Sequence, residues 1–141
     1  MTGFHGRPEQ YDHTGLVTGL RTAARGFCDE FAAVESLIAH RFWLTRADFR
    51  DRFVRTGATP REANEPPAAW VNWIGAATAL KLGWLECSSD EAALLHIAIA
   101  LATSGPFPTA ALSSLDRDSL VKVLTATAHA DGYSDVRVEI R

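Results

Sequence analysis

The chain has 141 residues, 47% of them apolar and 22% charged, with a formal net charge of −3. That length builds one domain, burying about two thirds of its unfolded surface without help from a metal or a disulfide. The balance of apolar and charged residues excludes a disordered polymer, and two cysteines, Cys28 and Cys87, exclude a disulfide-rich scaffold.

In chain order, residues 1–14 are polar, lack the apolar run of a signal peptide, and read as a flexible lead-in. A single helical domain is expected over 15–141. From Gly15 a helix of about 25 residues is encoded by Leu20, Ala24, Phe27, Phe31, Val34 and Ile38, whose three- and four-residue spacing makes one apolar stripe. A second helix begins at Thr45, with its hydroxyl as cap and Asp48 in the first turn. It buries Phe49 and Phe53 and stops at Gly57. Thr59, Pro60 and Glu62 open a further short turn of helix, halted by Pro66 and Pro67.

A third helix is predicted over 68–82, ended by Gly83. It is apolar or small at nearly every position, which reads as a central helix covered on most sides. Residues 84–86 form a short extended piece. Ser88 with Glu91 is a capping box for a helix to about Ser104, terminated by Gly105 and Pro106. Its longest apolar stretch, 92–102, is well under the about 18 residues needed to cross a bilayer, so no membrane contact and a cytoplasmic location are expected. His96, inside that stretch, reads as a core histidine. After a turn at 110–113, Asp116 caps a helix to His129 that buries Leu120, Val121, Leu124 and Ala128. Val136, Val138 and Ile140 then alternate with charged residues as a half-buried strand. The fold class is mainly α: five to six helices with a small two-stranded β element, 84–86 paired with 135–140.

Catalytic and metal-binding patterns are missing from the sequence. The histidines and cysteines show no ligand spacing, no nucleophile motif occurs, and the ten glycines are isolated stops rather than a phosphate loop. No catalytic residue, metal or cofactor is therefore assigned, and a non-catalytic protein is expected. The strongest local bias is basic: residues 41–61 carry six arginines against Asp48 and Asp51, whereas residues 62–141 hold ten acidic residues against five basic ones. Guanidinium forks match phosphate geometry, but arginines paired with the two aspartates on a solvated helix face would explain the same pattern.

Leu44-Thr45-Arg46-Ala47-Asp48-Phe49-Arg50, followed by Pro67, Trp70, Ala76-Ala77 and Leu82-Gly83-Trp84, resembles a small winged-helix module of bacteriophages and mobile elements. The resemblance covers about residues 31–86, leaving 88–141 as a C-terminal helical extension. It implies a helix-turn-helix core with a β-ribbon starting at 84–86. Residues 68–82 offer only Asn72, Thr78 and Lys81 as polar groups, so contact with nucleic acid would run mainly through phosphates. The expected regulatory protein binds nucleic acid through Arg46, Arg50, Arg52, Arg55 and Arg61, with Asn72 and Lys81 contributing. The alternative is a protein-binding inhibitor or adaptor, because Trp and Arg are enriched in interface hot spots and the chain has four tryptophans.

Overall fold

The computed structural model describes residues 13–57, 67–106, 109–130 and 138–139. Among them the chain forms eight helices and one two-stranded antiparallel sheet.

The first long helix is two. α1 (His13–Ala24) ends before Gly26, which adopts φ +90, and Phe27 is extended, so α2 (Cys28–His40) starts afresh. That break takes Phe27 out of the predicted stripe and leaves it exposed, while Leu20, Ala24 and Val34 stay buried. The reason is local: glycine in the left-handed region reverses the chain at little cost, and α1 then folds back against α2.

The helix expected from Thr45 is also divided. α3 (Phe42–Thr45) is a single turn, Arg46 is extended, and α4 (Ala47–Phe53) follows. Thr45 does not cap α4; its hydroxyl donates backwards to the Phe42 carbonyl at 2.8 Å. Gly57 is not a helix stop. The chain leaves α4 directly into β1 (Val54–Thr56), which pairs with β2 (Ala69–Val71) in the register Val54–Val71, Arg55–Trp70 and Thr56–Ala69. Gly57 N–H to Ala68 O at 2.8 Å and Asn72 N–H to Phe53 O at 2.6 Å extend the ladder at both ends.

The predicted strand pair is thus corrected. The sheet is 54–56 with 69–71, and 84–86 is not a strand. Of 135–140, Val138 and Glu139 are described, neither in a strand; the rest of that segment, like the short helix expected at Thr59, lies outside the described residues. The third helix is correspondingly shorter: α5 (Trp73–Lys81) begins only after β2. The hairpin precedes this Trp-containing helix, whereas the resemblance implied a ribbon after it.

The core is built on α2, which lies against both α6 (Ser89–Thr103) and α8 (Arg117–Ala130). The Ser88–Glu91 capping box is present in both directions, at 3.2 Å and 2.7 Å. Leu94, Leu95, Ile97 and Ala98 of α6 are fully buried, each large side chain contributing about 1.5–3 kcal/mol of transfer free energy. His96 is the exception within the apolar stretch 92–102. It is exposed, facing a shallow cleft towards α7 (Thr109–Ser114), and is not a core histidine.

Asp116 caps α8 by accepting from Ser119 N–H at 2.7 Å. The buried face of α8 is Ser119, Val123 and Ala126, rotated from the predicted one, and Leu124 is exposed. A polar node lies at the start of this face. The Asp90 carboxylate accepts from the Ser119 hydroxyl (3.2 Å) and the Asp116 backbone N–H (2.9 Å), and His40 Nε2 lies 3.1 Å from it. One side chain of α6 thereby ties the end of α2 to the start of α8.

Candidate interaction surface

The hairpin has two unlike faces. Val54, Ala69 and Val71 point inward, with β2 packed on α1, while Arg55 and Trp70 stand opposite each other on the outer face. Directly opposed side chains of an antiparallel pair are close enough to touch, so an arginine and an indole share this exposed patch. Asn72 ends β2 and caps α5, its Oδ1 accepting from Gly75 N–H at 3.0 Å.

α5 then buries Trp73, Ala76 and Ala79 and turns Ile74, Thr78 and Lys81 outward; Leu82 continues the same stripe. These positions are i, i+4, i+7 and i+8 of one helical face. Gly83, at φ +76, closes the helix, and Trp84 follows with its N–H on the Ala79 carbonyl at 2.9 Å. Large apolar side chains are left in water here: Ile74 is 68% exposed, Trp84 58%, Leu82 54% and Trp70 44%. Elsewhere among the described residues only Phe27 and Leu124 are comparable.

The seven residues singled out from the sequence divide sharply. Arg46 is consumed by the fold. It makes a two-pronged ion pair with Asp48 (2.7 and 2.6 Å), donates to the Glu86 carbonyl, and lies 5.0 Å from the Trp43 ring centre. That pairing raises the Arg46 pKa and holds the Asp48 carboxyl below its usual range, with the hydrogen bond between them as the main cause. Asn72 is committed to its cap. Arg50 is half-buried, with Nε unpartnered among the described residues. Arg52, stacked 5.1 Å from the Phe53 ring, Arg55 and Lys81 remain exposed, as does Arg41. No described carboxylate forms an ion pair with any of these four. Arg61 lies outside the described residues.

Sequence reasoning missed Ile74 and Leu82, because a helix that apolar reads as covered all round. The signal that could have found them is the placing of Thr78 and Lys81 on their own stripe. It also assigned Trp70 to a buried helix, where the strand turns it outward.

Other groups with chemical potential are held in structural roles. The Ser119 hydroxyl donates to the Asp90 carboxylate and is only 3% exposed, so it joins two helices and presents no open face to a substrate. Burial and the nearby Glu91 push the Cys87 thiol up, which disfavours the nucleophilic thiolate. Among the described residues no group of three or more His, Cys, Asp or Glu is arranged to hold a metal ion, and no helix is long and apolar enough to cross a membrane.

The class defined by these features is a mainly helical protein with a two-stranded sheet and an exposed apolar face rimmed by cations. Comparison of the chain with protein-family models, with curated proteins and with solved structures gives no match.

Proposed function

We propose that this protein is a non-catalytic interaction module, an adaptor or inhibitor, that docks a partner protein through the outer face of the hairpin and α5. One observation carries the reading: four large apolar side chains, two of them tryptophan, are exposed within residues 70–84, with Arg55 and Lys81 beside them. A monomeric protein rarely leaves apolar side chains this concentrated in water, and Trp and Arg are the side chains that most often anchor interfaces. Contact with nucleic acid, which the sequence leads one to expect, is the second reading. It is favoured by Arg41, Arg52, Arg55 and Lys81 lacking described carboxylate partners, and weakened by the use of Arg46 and Asn72 inside the fold.

Two measurements separate them. Affinity purification from the native host should retain a protein with the wild type and lose it with W70S/W84S, both folded by circular dichroism. An identical set of retained proteins with both forms would overturn the protein-binding reading. Binding to a 20-base-pair duplex, weakening steeply with salt and flattened by R52A/R55A, would establish the nucleic-acid reading instead.

A further inference from the structure

Resting on the protein-binding reading, we infer that the occupant of the hairpin–α5 face is an acidic amphipathic helix of the partner, seated along α5 with Trp70 and Trp84 at its two ends. The geometry of the face sets the length. Ile74 and Leu82 are eight residues apart on one helix, about 12 Å at 1.5 Å per residue, which matches two helical turns of a partner carrying apolar side chains at i, i+4 and i+7. Trp70 precedes the cap of α5 by two residues and Trp84 follows Leu82 by two, so the chain carries an exposed indole just before and just after the stripe.

Charge sets the partner's sign. Arg55 stands directly across from Trp70, and Lys81 occupies the last turn of α5 beside Leu82. Neither has a described carboxylate partner, so both are available to pair with carboxylates brought by another chain. The same cations argue against a second copy of this chain. A two-fold contact sets one patch against itself, and so brings two like-charged patches together. Ile74 and Leu82 along the strip favour an apolar side chain over a base, whereas Trp70 and Trp84 are able to stack on either.

The test uses three synthetic 16-residue helical peptides and fluorescence anisotropy at about 100 mM salt. The first has Leu at i, i+4, i+7 and i+8 with Glu on its flanks, the second replaces every Glu by Lys, and the third keeps the Glu and replaces Leu by Ser. The first should bind, at least tenfold more tightly than either of the others. R55E/K81E should weaken it at least tenfold, and W70S/W84S should abolish it, with unfolding midpoints unchanged for both variants. Equal or tighter binding of the Lys peptide overturns the acidic assignment while leaving the protein-binding reading intact. Absence of binding by all three overturns the inference, and the affinity purification separately decides the reading beneath it. Tighter binding of a 20-nucleotide poly(dT) makes the occupant nucleic acid, and a concentration-dependent dimer by light scattering, lost in W70S/W84S, makes it a second copy.

Discussion

Gly19→Ala tests the seating of the hairpin, because local and tertiary reasoning give opposite signs. Gly19 lies inside α1, where alanine is favoured over glycine by roughly 0.5–1 kcal/mol. In the fold, a Cβ at this position would collide with the Pro67 carbonyl oxygen and lie 3.3 Å from both the backbone nitrogen and the Cβ of Ala69. The first obstacle is backbone at the entrance to β2 and cannot rotate aside. Relief requires β2 to move off α1, an overpacking cost of about 1–3 kcal/mol. Set against the helix-propensity gain, the net expectation is a loss of about 1–2 kcal/mol. For a chain of this size that lowers the melting temperature by roughly 3–8 °C. Urea titration followed by tryptophan fluorescence and far-ultraviolet circular dichroism measures it. An unchanged or higher midpoint with an unchanged slope would refute the close packing of α1 on β2. Gly26→Ala is a useful comparison, since its added Cβ meets nothing within 4 Å and only the φ of +90 resists it.

Other outcomes follow from the same structure. Asp90→Ala removes the acceptor shared by Ser119, the Asp116 N–H and His40, and should cost about 2–3 kcal/mol in urea midpoints, more than Ser119→Ala at about 1 kcal/mol. Trp43→Phe loses the Nε1 hydrogen bond to the Glu91 carbonyl and leaves a void beside Phe49, and should cost about 2 kcal/mol by the same assay. Asp48 is held below its ordinary pKa by Arg46, and Asp116 by its hydrogen bonds from Ser119. Carboxyls depressed on folding stabilise the protein above their unfolded value of about 3.9, and that stability disappears as the pH falls through their lower folded values. Asp48→Asn with Asp116→Asn should therefore flatten the acid limb of the melting-temperature profile. W70S/W84S should remove most acrylamide-quenchable fluorescence, leaving the buried Trp43 and Trp73, with a stability change under about 1 kcal/mol.

Signals that act within one turn of chain were legible. The Ser88–Glu91 capping box, the Asp116 cap and the Gly83 stop each satisfy backbone groups from residues a few positions away, so the sequence alone determines them. The mainly helical class follows from such signals, as does a basic segment containing Arg52 and Arg55. The sheet was not legible, because its strands are only three residues long and twelve residues of chain separate them. Residues 69–71 are as apolar as the helix that follows, and only Val54–Thr56 and the glycine notch of α1 decide that they are extended.

The candidate surface was legible in part. Arg46 and Arg55 look alike in the sequence, yet one is bound by Asp48, Glu86 and Trp43, and the other stands opposite Trp70 with no described carboxylate partner. Residue type and helical period set which side chains are able to anchor or pair, and these the sequence determined. Which of them the core consumes depends on how the chain packs: Arg46 is held by Asp48 two residues on and by Glu86 forty residues on, and His40 meets Asp90 fifty residues on. Only the tertiary structure decided that, because burial is a property of the packed chain and not of any segment of it.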